Sequence, residues 1–129
     1  MFYSDSHKLY LEFYGHSLPI TTFTITSDSY FLISGSVDKT VKIWGTDFGN
    51  CRKSIFAHQD TVTHVVAVNE THYFFSASND STIKYWDADT NQLILVFSDA
   101  LSKINSISIN SIGDTLFTVS NDLTIRKYL

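Results

Sequence analysis

An all-β fold built from one unit used three times is predicted by this sequence, on three observations. The same pattern returns with a step of 42 residues, and self-similarity at such a period is typical of repeat folds. Each copy divides into short alternating or apolar runs bounded by turn residues, which is how strands look in a sequence. Helical periodicity is absent, and the aromatic share of 15% suits pleated, half-buried surfaces.

The repeat is defined by residues that keep the 42-residue step along the chain. They are Trp44 and Trp86 with Tyr128; Ser36, Ser78 and Ser120; Asp38, Asp80 and Asp122; Thr40, Thr82 and Thr124; and His16 with His58. The third copy has Ala100 where the histidine would fall. A unit repeated in this way is one supersecondary element whose neighbours bury each other's apolar faces.

Strand positions follow from the alternation and from the turn residues between the runs. The first copy gives strands at 20–25, 30–33 and 40–44 and a fourth through 55–56; the second gives 62–68, 73–78, 82–86 and 93–97; the third gives 104–109, 115–120 and 124–128. The alternating run 9–13 before the first copy predicts one further strand. Pro19, the single proline, precedes a strand, where its missing N–H is tolerated.

Four strands per unit indicate antiparallel sheets arranged as blades. Each unit starts with the outer strand of a blade, so we expect units at about residues 8–45, 46–87 and 88–129 after a short N-terminal extension, 1–7. Propellers typically have about four to eight blades. Three blades cannot surround an axis, so we expect an open arc whose unpaired edges at 9–13 and 124–128 favour self-association, unless a partner or further sequence completes the ring.

Composition excludes several classes of function. With 43% apolar and 17% charged residues, 129 residues suit one globular domain. A net charge of −4 argues against sequence-specific nucleic-acid binding, which needs a basic surface to displace counterions. The single cysteine, Cys51, excludes an internal disulfide and suits a reducing compartment, and no apolar run is long enough for a membrane span. We therefore expect a soluble intracellular protein.

The residue types of a hydrolase triad occur in the repeat, but their recurrence favours a structural role. They are His16, Ser36, Asp38 and Trp44 in the first copy and His58, Ser78, Asp80 and Trp86 in the second. A catalytic site is built once, whereas a folding device recurs in every unit. We expect each set to form a buried hydrogen-bond network, because unpaired polar groups in a dry interface are costly. The third copy lacks its histidine, so Ser120 and Asp122 should hold a weaker blade.

Metal and cofactor sites are not indicated. His58 and His64 stand six residues apart, but no cysteine or carboxylate cluster completes a zinc shell around them. The glycines of the segment 45–50 lack the lysine and helix of a phosphate-binding loop. That segment is longer than a short strand connection needs, and its Asp47 and Phe48 are candidate partner contacts, since aromatic side chains in loops commonly anchor interfaces. The alternative is that Phe48 folds back onto its own blade.

These motifs resemble the WD repeat of the β-transducin kind. The first copy has Gly15-His16 followed by residues 34–44, Ser-Gly-Ser-Val-Asp-Lys-Thr-Val-Lys-Ile-Trp, and the second has Ala57-His58 followed by 78–87, ending in Trp-Asp. Gly45 replaces the aspartate of the first Trp-Asp pair, and the third copy ends in Tyr128-Leu129. The resemblance implies a partial WD-repeat β-propeller of three four-stranded antiparallel blades, which serves as a non-enzymatic scaffold.

A narrower resemblance is carried by residues 11–20, Leu-Glu-Phe-Tyr-Gly-His-Ser-Leu-Pro-Ile, and above all by residues 44–51, Trp-Gly-Thr-Asp-Phe-Gly-Asn-Cys. These segments are similar to the second propeller of a tandem-propeller subunit of the UTP-B complex. The resemblance implies a nucleolar role in small-subunit processome assembly and rRNA processing, with the proteins of an RNA–protein particle as partners and no cofactor. The alternative is a WD-repeat adaptor elsewhere, such as a cytoplasmic ubiquitin-ligase receptor or trafficking coat.

Overall fold

Eleven strands form the described part of the protein, for which a computed structural model describes residues 14–46, 51–98, 103–109, 115–120 and 125–128. The strands are β1 (Ile20–Ile25), β2 (Phe31–Ser36), β3 (Thr40–Gly45), β4 (Cys51–Phe56), β5 (Val62–Ala67), β6 (Tyr73–Ser78), β7 (Ile83–Asp87), β8 (Gln92–Phe97), β9 (Ile104–Ile109), β10 (Leu116–Ser120) and β11 (Ile125–Tyr128). No helix among these residues is long and apolar enough to cross a membrane.

The strands form three antiparallel sheets that follow chain order. The first sheet is β1-β2-β3-β4, the second is β5-β6-β7-β8, and the third is β9-β10-β11. The predicted all-β, partial-propeller fold is confirmed, because β5 packs beside both β1 and β9 and the sheets follow one another as blades. The third sheet has three strands in the described part of the chain, and the strand expected at 9–13 lies outside the described residues.

Each sheet has two faces, which are named here by chain order. The leading face is turned toward the preceding unit and the trailing face toward the following one. In the first sheet, Phe23 pairs with Ser34 and Leu32 pairs with Trp44, so these residues share the leading face. Residues of the other parity, such as Ile33 and Ile43, lie on the trailing face.

The main apolar core lies where the trailing face of the first sheet meets the leading face of the second. Its buried members are Phe31, Ile33, Val41 and Ile43 from the first sheet, and Val62, Val65, Phe74 and Trp86 from the second, with Ala57 and Ala88. A second cluster joins Ala77 and Ile83 to Ile104, Ile107 and Leu116 at the next seam. Each sheet therefore buries its apolar surface against its neighbour, as expected of a repeat fold.

Hydroxyl groups on the trailing face of β1 add hydrogen bonds across the first seam. The backbone N–H groups of Val65 and Ala67 donate to the hydroxyl oxygens of Thr22 and Thr24, both at 3.3 Å. At the second seam, the residue that stands 42 places after Thr24 is Val66, which has no hydroxyl. The hydrogen bond that the Thr24 hydroxyl accepts at the first seam therefore has no equivalent from Val66 at the second.

Candidate functional site: a repeated hydrogen-bond network

A chain of four side chains, three of them buried and the fourth partly buried, joins four elements of the second unit. His58 lies in the loop before β5, Ser76 on β6, Asp80 in the turn between β6 and β7, and Trp86 on β7. The indole N–H of Trp86 donates to Ser76 Oγ at 2.9 Å, and the same oxygen lies 2.8 Å from His58 Nε2. On its other side, His58 Nδ1 lies 3.1 Å from Asp80 Oδ2.

Asp80 ties this chain to the backbone on both sides of the turn. The Gln59 N–H donates to its Oδ2 at 3.0 Å, while the backbone N–H and the hydroxyl of Thr82 donate to Oδ1 at 2.9 Å and 2.5 Å. One carboxylate thus fixes the entry to β5 relative to the start of β7. Ser81, inside this turn, has a φ of 70°, the left-handed conformation common in tight turns.

The first unit repeats this geometry. The Trp44 indole donates to Ser34 Oγ at 2.8 Å, and that oxygen lies 2.6 Å from His16 Nε2. His16 Nδ1 lies 3.0 Å from Asp38 Oδ2, and the Thr40 hydroxyl donates to Asp38 Oδ1 at 2.5 Å. Equal geometry in two units supports the interpretation that these hydrogen-bonded side chains stabilise the fold, which we predicted from their recurrence in the sequence alone.

The serine at the centre of each network differs from the expected one. Ser36 and Ser78 were expected beside the histidines, but Ser34 and Ser76 occupy that place. The Ser36 hydroxyl donates to the Pro19 carbonyl at 2.8 Å and accepts the Asp38 N–H, and Ser78 repeats this with the Thr61 carbonyl at 2.8 Å. Antiparallel pairing explains the difference: Leu32 lies opposite Trp44, and Ser34 lies two positions further along the same face, where the indole reaches it diagonally; Phe74 and Ser76 repeat this beside Trp86.

The pKa values of the second network keep its histidine neutral and its aspartate charged. Burial lowers the pKa of His58 below its usual 6.5, although the charge of Asp80 opposes that shift. Burial raises the pKa of Asp80, but hydrogen bonds from Thr82 and Gln59 lower it more, so the net shift is downward. Because an ionised carboxylate only accepts, His58 Nδ1 carries the proton and Nε2 accepts the Ser76 hydroxyl.

The third unit has the network position without its partners. Thr118 stands 42 residues after Ser76 and is equally buried, yet its hydroxyl has no hydrogen-bond partner. Tyr128 replaces the tryptophan and Ala100 the histidine. Ala100 and Asp122 lie outside the described residues, as does the side chain of Ser120. An unpaired buried hydroxyl costs free energy, so this observation agrees with the expectation of a weaker third blade.

The network offers no exposed nucleophile. Ser76 and His58 are fully buried and Ser34 is nearly so, and each serine oxygen already accepts an indole N–H. His64, the second histidine of the excluded zinc pair, is half-buried on β5, and burial lowers its pKa. Among the described residues, no group of three histidine, cysteine or acidic side chains is placed to hold a metal ion.

A second polar cluster, which the sequence did not indicate, joins the turns of the first two sheets. His72 Nε2 lies 2.7 Å from Asp28 Oδ2, and His72 Nδ1 lies 2.9 Å from Asp89 Oδ1. The imidazole also stacks on Tyr30, with 5.6 Å between ring centroids. Hydrogen bonds to Asp28 and Asp89 raise the pKa of His72, because the protonated ring donates to both carboxylates. Asp89 stands 42 residues after Asp47, but His72 and Asp28 have no identical equivalent in the other copies, and only the arrangement of the sheets brings the three together.

The candidate contact residues Asp47 and Phe48 lie outside the described residues. The strands on either side are described: β3 ends at Gly45 and β4 begins at Cys51, and both belong to the first sheet. The segment 46–50 therefore connects two adjacent strands, and its role as a contact stays a prediction.

Comparison with known proteins places these features in a family. The profile described as WDR3 second beta-propeller domain matches residues 1–129. A ribosome biogenesis protein BOP1 homolog from Oryza sativa subsp. japonica is 36% identical over 44 residues, which are 34% of this chain and 6% of that protein. The COMPASS component SWD3 of Saccharomyces cerevisiae is 34% identical over 55 residues, which are 43% of this chain and 18% of that protein. The matched segments are less than a fifth of either relative's length.

Proposed function

The chain belongs to the family of the WDR3 second beta-propeller domain, and from that premise we propose that it is a non-enzymatic protein-interaction scaffold in assembly of the small ribosomal subunit. Residues 8–129 would form the partial propeller. The observation that carries the scaffold role is the repeated network, in which His58 and Ser76 are fully buried and the histidine, serine and tryptophan are already hydrogen-bonded to one another. Side chains used to hold each blade together leave the loops and outer strands for partners.

The ribosomal role is supported by the family and by one relative. The matching family is named for the second propeller of WDR3, and one similar protein is a ribosome biogenesis protein. The net charge of the chain, −4, favours protein partners over direct contact with RNA. The protein would therefore act in the nucleolus, through the proteins of an RNA–protein particle that carries out rRNA processing.

Affinity purification of the tagged chain from cells tests this role. We expect small-subunit assembly proteins, with small nucleolar RNA that is lost after nuclease treatment while the protein partners remain. RNA retained by the purified chain alone would contradict the indirect contact. Recovery of an unrelated complex, with neither assembly proteins nor small nucleolar RNA, would contradict the ribosomal role while leaving the scaffold role intact.

The segment 45–50 would contribute one contact to those partners. Phe48→Ala should lower partner capture without changing the thermal unfolding midpoint. Phe56→Ala is the matched control, because Phe56 is an exposed phenylalanine at the far end of the adjacent strand. A lower midpoint for Phe48→Ala with unchanged capture would show that Phe48 packs on its own blade instead.

A second candidate is an adaptor in another multi-subunit complex. The similarity to a COMPASS component supports it, because the identity is close to that of the ribosome biogenesis relative. The same purification distinguishes the two candidates. Chromatin-modifying subunits, or a ubiquitin ligase or trafficking coat, would favour the adaptor, whereas assembly proteins with small nucleolar RNA favour the first proposal.

A further inference from the structure

The outer strand of the second sheet, β8, is apolar and exposed along most of its length. Leu93, Ile94, Leu95 and Val96 follow one another on this strand, and each is between 44% and 50% exposed. Among the described strands, β8 pairs with β7 alone, so its other side is an edge of the sheet. An exposed apolar edge is a surface on which another strand can pair.

The first sheet has a polar strand in the same place. Its outer strand, β4, has Cys51, Arg52, Lys53 and Ser54 at the positions 42 residues before the four apolar ones, and these residues are exposed as well. Charged side chains, lysine above all, keep an edge strand from pairing with other chains. The fold therefore does not require apolar residues at the outer edge of a sheet, and β8 has them for another reason.

The exposure of β8 does not depend on a neighbouring sheet being absent. Leu93 lies opposite Trp86 and Val96 lies opposite Lys84, so both are on the leading face, which is turned toward the first sheet. All four strands of the first sheet are described, and yet these two side chains remain 44% and 49% exposed. The sheets meet through their inner strands, so the outer edge of β8 faces away from both neighbours.

A pocket with acidic walls lies beside the start of β8. Its volume is about 500 Å³, and it is lined by Ser27, Asp28, Glu70, Thr71, His72 and Asp89. Three carboxylates and one imidazole leave the pocket negatively charged even when His72 is protonated, and the side chains of Asp28 and Asp89 are more than half exposed. Asp89 precedes the first residue of β8 by three positions, which is at most about 10 Å of chain. A basic side chain at this end of β8 would therefore meet complementary charge.

We propose that β8 binds an extended segment of a protein partner as a fifth, antiparallel strand, with apolar side chains along the segment and a lysine or arginine at the end beside Asp89. Antiparallel addition continues the pairing of the sheet and is slightly more stable per residue than parallel addition. It places the C-terminal end of the segment beside the acidic pocket. The proposal rests on the scaffold function only in taking the partner to be a protein, and its failure would leave the result of the affinity purification unaffected.

Titration of the 129-residue chain with a synthetic peptide, three valine–threonine pairs followed by two lysines, tests the proposal by amide NMR. We expect saturable binding with a Kd below about 1 millimolar, and shift changes confined to β8 and the turn before it. The same peptide with two glutamines in place of the lysines should bind roughly 2- to 5-fold more weakly, and Asp89→Asn should remove most of that difference. No binding up to about 1 millimolar, or shift changes elsewhere in the chain, would overturn the proposal. Equal affinities for the two peptides would contradict the basic end of the segment.

A double variant, Leu95→Lys with Val96→Ser, gives β8 the residue types that β4 carries at the same positions, so the fold should be retained. It should weaken peptide binding roughly tenfold or more, because a charged edge resists strand addition. The matched control is Leu18→Lys, in the loop before β1, where the leucine is also 50% exposed; it should bind the peptide as the parent chain does. Unchanged affinity of the double variant, with the circular dichroism of the parent, would overturn the proposal. So would a parent chain that dimerises until the double variant is introduced, because the edge would then belong to a second copy.

Discussion

The contrast between Ser76 and Thr118 gives the sharpest test of the network. The two residues occupy the same position in successive units and both are buried, but only Ser76 has hydrogen-bond partners. Ser76→Ala removes the acceptor of the Trp86 indole N–H and the donor to His58 Nε2. Thr118→Val removes a hydroxyl that contacts no polar group and keeps the shape of the side chain.

The expected effects have opposite signs. A buried polar group left without a partner costs about 1–3 kcal/mol, and Ser76→Ala leaves two such groups, so the loss should be on the order of 2–5 kcal/mol. That is a large share of the roughly 5–15 kcal/mol that stabilises a typical domain. Thr118→Val relieves one unpaired hydroxyl, so the free energy of unfolding should rise by up to about 1 kcal/mol.

Urea unfolding followed by tryptophan fluorescence and circular dichroism measures both changes. Ser54→Ala is the control for a serine-to-alanine change, because Ser54 is exposed and its loss should stay within about 0.5 kcal/mol. A Ser76→Ala midpoint equal to that of Ser54→Ala would refute the network. A destabilised Thr118→Val would refute the claim that the third unit lacks a partner for its hydroxyl.

Three further predictions address the seams and the core. Gly35→Ala should cost about 1–3 kcal/mol, because its Cβ would lie 2.5 Å from Val62 Cγ1; Val62→Ala in the same chain should recover part of that loss, and additive losses would contradict the clash. The pKa of His72 is raised, so the interactions of its protonated ring stabilise the fold below pH 6.5, and this stabilisation is lost as the pH rises through the raised pKa. The pKa of Asp28 is lowered to about 2, so the stabilisation from its ionised carboxylate is lost as the pH falls from 3.8 toward 2. The stability difference between the parent and His72→Gln, measured by urea unfolding across pH, should therefore be largest between pH 3.8 and 6.5, and a flat difference would disprove the bridge. Trp86→Ala should cost about 3–5 kcal/mol in the same assay, since the side chain is buried, and an unchanged midpoint would show that it is no anchor.

Strands could be predicted where their residues alternate or are apolar, and less well where they are polar. The alternation of the inner strands located β1, β5 and β9 to within a residue or so. The outer strand β4 begins at Cys51, whereas the sequence predicted a strand only near 55–56. The prediction missed the first four residues because they are exposed and carry no apolar pattern. Such a strand forms by backbone pairing with β3, which sequence periodicity cannot show.

The candidate site was predictable in kind but not in its atoms. Recurrence identified the histidine, the aspartate and the tryptophan, yet Ser34 and Ser36 both recur and both lie on one face of β2, so spacing could not separate them. Only the pairing of β2 with β3, which sets Leu32 opposite Trp44, shows that Ser34 lies within diagonal reach of the indole. The bridge at His72 could not be found at all, because 42 residues earlier stands Tyr30 and 42 later Asp114.

The polar and apolar parts of the first sheet differ in how far they depend on a neighbouring sheet. In the first sheet the leading face is uncovered, yet Ser34 and Trp44 remain buried, because the loop carrying His16 bonds to the same serine. The network therefore forms within one unit, whereas apolar burial is shared between units. In the stability of a repeat protein, the network contributes to the intrinsic stability of each repeat and the apolar burial to the interface between repeats. It follows that Ser34→Ala and Ser76→Ala should destabilise the chain to a similar extent in urea. Truncation of Leu32, which is half-buried, should cost less than truncation of its fully buried equivalent Phe74, by more than the difference in side-chain size predicts. Unequal serine effects would instead show that a covering sheet is needed to hold the network together.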